Sequence, residues 1–262
     1  MKSKIWNLIK GNSPLIATAI HDGHTVRQEL KDIMDLNEED KLREEDPFTG
    51  ELTEVAHTRL ISLRSRFEVD LNRPREKAIF TKPEDAWGLK IYKTPPSQDM
   101  INRSLEEYDL FYNKIFSLCS DFQKKYGRFV VYDIHSYCYR RNGPDSPEAD
   151  PLFNPEVNIG TGTMKREYWE PIVDSFITDL KSFDFLGSHL DVRENIKFKG
   201  GYFPKFIHEN FPRAACVLSI EFKKFFMDEW TGILFKDKFR TLKEALRFTI
   251  PGVIHELEKL NK

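Results

Sequence analysis

Cysteine is scarce in this chain. Cys119, Cys138 and Cys216 are an odd number with no Cys-x-x-Cys spacing. That argues against a disulfide framework or a cysteine zinc cage, so any metal would be held by histidine and carboxylate. Long hydrophobic runs are also missing. Apolar stretches such as Phe129-Val130-Val131 and Ala214 to Ile220 fall far short of the roughly 18 residues a membrane-spanning helix needs. Met1-Lys2-Ser3-Lys4-Ile5-Trp6 carries charge but lacks the continuous apolar region and small-residue cleavage site of a secretory signal, which points to the cytoplasm. Neither sign of charge dominates: 40 Lys and Arg against 42 Asp and Glu leave a formal net charge of -2. A protein gripping nucleic acid by non-specific electrostatics would be basic, so neither nucleic acid nor membrane is expected as a partner. With no repeat, low-complexity tract or Gly/Ser linker to divide it, 1–262 reads as a single domain.

What is present is the composition of a folded chain, 40% hydrophobic and 13% aromatic. Leu15 to Ile20, after Pro14, is the almost uniformly apolar run of a strand covered on both faces. Arg66 to Leu71 reads as a second strand, Arg128 to His135 as the strongest, and Ala214 to Glu221 as another buried one. Helical spacing predicts helices over Glu51 to Ser62, Ser97 to Lys125 with Gly127 as C-cap, Lys165 to Phe183, and Thr241 to Leu260 with an interruption at Pro251. The polar stretch Arg75 to Ser97 holds Trp87 and Tyr92 and reads as an ordered loop. Strands alternating with helices specify an α/β fold, a sheet with helices on both faces.

Open α/β sheets bind ligands at the carboxyl ends of their strands, and three of these strands end in chemistry-bearing residues. The first leads into His21-Asp22-Gly23-His24, the next into Asp133-Ile134-His135-Ser136, and the last into Glu221. A catalytic zinc takes three protein ligands and keeps a position for water, and His21 and His135 would supply two of them. The third is sought in Arg43-Glu44-Glu45-Asp46-Pro47-Phe48-Thr49, with Asp46 preferred over Glu45 and over His24. Asn72 and Arg73 follow the second strand and Arg66 opens it. A guanidinium fork there suits a substrate carboxylate, and pairing of Arg73 with Asp70 is the competing reading. Glu221, at the end of an apolar strand, is either paired structurally or raised in pKa as a general base.

Together these residues resemble the N-formylglutamate amidohydrolase family, itself similar to the zinc carboxypeptidase and aspartoacylase group. The motifs that carry the resemblance are His21-Asp22-Gly23, Ser65 to Pro74, Asp133-Ile134-His135-Ser136, Phe198-Lys199-Gly200-Gly201-Tyr202 and Ser219-Ile220-Glu221. The resemblance implies a mixed sheet flanked by helices, phosphorylase/hydrolase-like in fold. It also implies zinc on His21, His135 and a carboxylate of the 43–49 segment. Arg66, Asn72 and Arg73 would receive the substrate carboxylate or polarise its carbonyl, Lys199, Gly200 and Gly201 would shape the pocket, and Glu221 would handle the proton of the attacking water. Ile20 stands where the familiar enzymes have Pro, and His24 where zinc carboxypeptidases have Glu. The implied activity is hydrolysis of an N-acyl amino acid, with N-formyl-L-glutamate as the substrate the family name suggests. A carboxypeptidase-like peptidase and a ligand-binding protein without turnover are the alternatives.

Overall fold

The computed structural model describes residues 4–262; Met1 to Ser3, where the N-terminal reading begins, lie outside the described residues. In chain order the elements are β1 (Trp6–Ile9), β2 (Leu15–Ala19), the short helices α1 (Gln28–Lys31), α2 (Glu38–Glu44) and α3 (Thr49–Leu52), then β3 (Thr58–Ser62) and the long α4 (Gln98–Tyr126). They continue with β4 (Phe129–Tyr137), β5 (Val157–Gly160), α5 (Arg166–Ser182), β6 (Val192–Glu194), α6 (Tyr202–Asn210), β7 (Ala215–Lys223) and α7 (Lys236–Leu260). The strands form one mixed seven-stranded sheet in the order β1-β3-β2-β4-β7-β5-β6. Its centre, β2-β4-β7, is parallel, while β1 on β3 and β5 on β7 are antiparallel.

Period-two alternation in the central strands assigns each residue to a face. Val130, Tyr132 and Ile134 of β4 and Cys216, Leu218 and Ile220 of β7 pack with α5 and α7. Phe129 and Val131 of β4 and Ala215 and Val217 of β7 pack with α4 and α6 on the other side. Both faces are therefore covered by helices, as the continuous apolar strands require. No helix among the described residues is long and apolar enough to cross a membrane.

Three sequence readings are corrected. The helix expected over 51–62 stops at a 3-10 turn, Thr53–Val55, and its second half is β3. There Thr58, Leu60 and Ser62 are buried while Arg59 and Ile61 are less so, a strand period that the preceding Leu52 and Val55 disguise as a helical one. The strand expected over 66–71 is instead a run of turns, with Glu68 N donating to Ser65 O and Asp70 N to Ala78 O. Its apolar/charged alternation is real, but both edges of β3 are already taken, by β1 and β2. Its charged side faces an internal ion-pair network instead of water. Finally, α7 begins at Lys236 and runs unbroken through Pro251, held to the core by Leu246, Val253 and Leu257.

Candidate active site

The α4/α6 face of the sheet changes character along its length. Where β2, β4 and β7 begin it is apolar; toward their carboxyl ends a polar row, Thr18-Asp133-Ser219, runs across the three strands as paired positions. In the next row His135 stands opposite Glu221, and Glu221 opposite Asn158 of β5. His135 and Glu221, expected as the last residues of their strands, have two further strand residues after them and project side by side from one face. His21 follows β2 and enters the same space.

His21, Asp46 and His135 are fully buried and offer donor atoms within 4.8 Å of one another. Asp46 Oδ2 lies 3.0 Å from His135 Nδ1 and 3.5 Å from His21 Nδ1. The far nitrogen of each ring faces a second carboxylate. His21 Nε2 donates to Asp70 Oδ1 at 2.8 Å, and His135 Nε2 is 3.1 Å from Asp133 Oδ2, an ion-pair distance off the hydrogen-bond axis. A carboxylate behind each imidazole fixes the tautomer that presents Nδ1 to the centre, the arrangement metal-ligating histidines use. Two imidazoles and a carboxylate, with Asp70, Asp133 and Glu221 buried around them, form a donor set that fits a divalent cation. Without a cation, protons hold the cluster together. Burial works against it, but the Asp133, Glu221 and Asp46 carboxylates keep the His135 imidazolium well above its ordinary pKa. Asp46, despite burial, is held far below the usual carboxylate range by His135 and His21.

Asp46 reaches the cluster because its N–H donates to His21 O and because a buried ammonium holds the chain before it. Lys224 is only 1% exposed, and its Nζ donates to the carbonyls of Arg43 and of Glu45, the latter at 2.7 Å. Glu45 and His24, the alternatives for the third ligand, bond to each other at 2.6 Å outside the cluster.

The turns of 65–73 build the opposite wall. Asp70 accepts from His21, from Arg66 Nη2 at 2.9 Å and from the N–H of Asn72 at 2.8 Å. Burial opposes ionisation of Asp70, but Arg66 and His21 pull its pKa far down. Arg66 also donates to the Glu44 carbonyl, so both terminal nitrogens are held by protein. Arg73 stands 3.5 Å from Asp70 through Nε, while its terminal nitrogens meet no acceptor among the described residues. Arg73 thus touches Asp70 and keeps a donor edge that no described residue occupies. Asn72 Oδ1 caps α6 by accepting from Phe203 N at 3.1 Å.

Glu221 has no hydrogen bond or ion pair among the described residues. Burial raises its pKa to about 7; His135 opposes that rise, and Asp46 and Asp133 add to it. Above these groups lies a cavity of about 350 Å³ whose lining includes Arg73, Arg141, Lys197, Lys199 and Trp87. Lys199, Gly200 and Gly201 close one side, and Gly160 lets them do so: a Cβ there would fall 2.7 Å from Gly200 N.

A family model described as N-formylglutamate amidohydrolase matches residues 13–226. The chain belongs to the N-formylglutamate amidohydrolase family. Among solved structures it is similar to an N-formylglutamate amidohydrolase from Ralstonia eutropha JMP134, with a TM-score of 0.75 at 18% identity over 98% of each chain. It is similar also to a gene product of Agrobacterium tumefaciens, with a TM-score of 0.69 at 18% identity over 98% of this chain and 97% of that one. At that identity both likenesses show the fold. A metallo-carboxypeptidase from Burkholderia cenocepacia overlaps loosely, with a TM-score of 0.37 at 15% identity, covering 92% of this chain and 56% of that one. No curated protein matches the chain.

In this member of the amidohydrolase family, the residues preferred from sequence line one cavity, namely His21, Asp46, Arg66, Asn72, Arg73, His135, Lys199, Gly200, Gly201 and Glu221, while the alternatives Glu45 and His24 do not. Sequence reasoning missed Lys224 and Arg141, and gave Asp70 no part behind His21. Asp133 and His135, and likewise Ser219 and Glu221, are two apart within apolar strands. That period was the available signal for a polar patch on one face.

Proposed function

We propose that the chain is a zinc-dependent amidohydrolase that cleaves the amide bond of an N-acyl amino acid, with N-formyl-L-glutamate the substrate its family points to. The observation that carries this reading is Glu221, buried and unpaired beside His21, Asp46 and His135, with its pKa raised to about 7. Zinc suits two imidazoles and a carboxylate, and when bound it supplies Lewis acidity toward the amide carbonyl and lowers the pKa of water. Glu221 takes the proton of the attacking water and returns it to the departing amine. A carboxyl poised near neutrality is matched to both transfers. Arg73 receives the α-carboxylate on its free edge, and Lys199, Lys197 and Arg141 offer positive charge for a second carboxylate. Arg66, with its terminal nitrogens on Asp70 and the Glu44 carbonyl, acts by holding Asp70 and through it His21. At about 350 Å³ the cavity is near the small end of ligand sites, which favours a single amino-acid derivative over a peptide.

The test is metal content of the purified chain alongside hydrolysis of a panel of N-formyl and N-acetyl amino acids and short peptides. Metal bound with turnover of acidic N-acyl amino acids is the expected result. Turnover of peptides alone would transfer the site to the peptidase reading, and metal without turnover of any amide to the binding-protein reading.

A further inference from the structure

The segment between the Asp70 turns and α4 is not explained by the reaction itself. It packs as a unit: Phe80, Ala86, Ile91 and Tyr92 form a small core with Phe67, Val26, Leu30 and Met34. Tyr92 donates its hydroxyl to Phe67 O at 2.7 Å, tying the segment to the turns that carry Arg66 and Asp70. On this firm base stands Trp87, which is 49% exposed and lies at the cavity mouth. It ends the 3-10 turn Pro83–Ala86 with φ +55°. That left-handed position favours glycine or asparagine, and a bulky residue there is disfavoured. Nothing in the local backbone asks for an indole.

The indole's neighbours give the reason for it. The Trp87 ring lies 4.9 Å from the Arg66 guanidinium and 5.8 Å from that of Arg73, and Arg73 is also 4.5 Å from the ring of Phe80. Phe80 and Trp87 meet at 52° with centroids 6.2 Å apart, so their faces form a corner around the Arg73 carbon. Asp70 fixes one end of that guanidinium through Nε, and the corner fixes its plane. An Arg fork recognises a carboxylate only when the two donor N–H groups and the two oxygens share a plane, so orientation here decides recognition.

We propose that Trp87 is a specificity-determining, positioning residue that, with Phe80, sets the plane of the Arg73 guanidinium for in-plane capture of the substrate's carboxylate. It touches no reacting atom. The inference rests on the reading that Arg73 binds that carboxylate. The left-handed backbone is tolerated because the indole it presents completes the site, as strained residues at ligand sites do.

The experiment compares Trp87→Gly, Trp87→Phe and Arg73→Ala in the metal-loaded full-length protein. N-formyl-L-glutamate and its α-amide serve as substrates, with metal content and melting temperature measured in parallel. Trp87→Gly is expected to fold at least as stably as the parent, since glycine relieves the backbone, and to keep its metal. KM for the carboxylate substrate should rise roughly 3- to 30-fold, the range of a cation–π contact from exposed to desolvated, with kcat little changed. Preference for the carboxylate over the amide should fall by a similar factor, and Trp87→Phe should restore most of it. If Arg73→Ala removes the preference while Trp87→Gly leaves it intact, the Trp87 inference is overturned and the function reading stands. If Arg73→Ala leaves the preference intact, the assignment of the carboxylate to Arg73 and the Trp87 inference fall together. Equal loss by Trp87→Gly on acid and amide would reduce Trp87 to a general wall of the cavity and also overturn the inference.

Discussion

Glu221→Gln separates a catalytic carboxylate from a structural one, because the two roles predict stability changes of opposite sign. In the metal-free protein the Glu221 carboxyl is raised from its ordinary 4.5 to about 7, by burial first and by Asp46 and Asp133 after it. A folded pKa above the unfolded one means that the group's contribution to stability is fully present below about 4.5 and is lost as pH rises through about 7. At 1.36 kcal/mol per pH unit, holding the ionised form in place costs roughly 3 kcal/mol. Gln keeps the shape and removes that charge. Metal-free Glu221→Gln should therefore match the parent near pH 4.5 and exceed it by up to about 3 kcal/mol at pH 8, on the order of 6 to 12 °C in melting temperature. Saturating metal supplies positive charge beside the carboxylate and should erase the gain. Turnover, meanwhile, should drop roughly 10² to 10⁴-fold, the usual contribution of a positioned acid-base group. Melting curves at the two pH values, with and without metal, and kcat on the metal-loaded protein make the comparison. A metal-free Gln variant less stable than its parent at pH 8 would refute the reasoning, since it would mean that the ionised carboxylate is held by a favourable interaction.

Purified protein should carry about one zinc per chain, and His21→Ala or His135→Ala should abolish it; stoichiometric zinc in both variants by elemental analysis removes the ligand assignment. Arg73→Ala should weaken binding of acidic substrates by about 2 to 5 kcal/mol while leaving metal affinity in place, and equal losses on acid and amide would show that Arg73 does not read the carboxylate. Lys224→Met keeps the length of the side chain but drops the ammonium that joins the Arg43 and Glu45 carbonyls. It should weaken metal affinity roughly 10- to 100-fold with KM nearly unchanged, and unaltered affinity in a metal-competition titration would detach Lys224 from Asp46.

The central sheet was legible because β2, β4 and β7 are covered on both faces and so are written as continuous apolar runs. The long α4 was legible from its spacing, and Gly127, at φ +73°, ends it as expected. The peripheral strands were not: β1, β5 and β6 have only four, four and three residues, too few for a period to show. Arg66 to Leu71 misled for a different reason. Alternation reports that one side of a segment is apolar and the other polar, but not that the backbone pairs with a neighbour. Whether it can pair depends on which sheet edges are already occupied, a property of the whole topology.

That His21, His135 and Asp46 would meet was legible from two strand-end histidines and an acidic loop, but what places them was not. Asp70 was seen only as a partner for Arg73, whereas it accepts from His21, Arg66 and the Asn72 backbone together. Lys224, one more lysine after a strand, carries no signal of its own in the sequence. Its burial follows from β7 running two residues past Glu221, which carries the chain under the 43–46 loop. The consequence is an order of assembly. Asp46 is brought in by bonds to His21 and, through the loop, to Lys224, and His21 is fixed by Asp70, so the donor set exists only once β2, β7 and the 65–73 turns are packed. A metal bound there would therefore stabilise the packed sheet and its loops as one unit. Without the cation it is the ionised Glu221 carboxylate that opposes folding, whereas Asp46 and Asp70 are held by His135, His21 and Arg66.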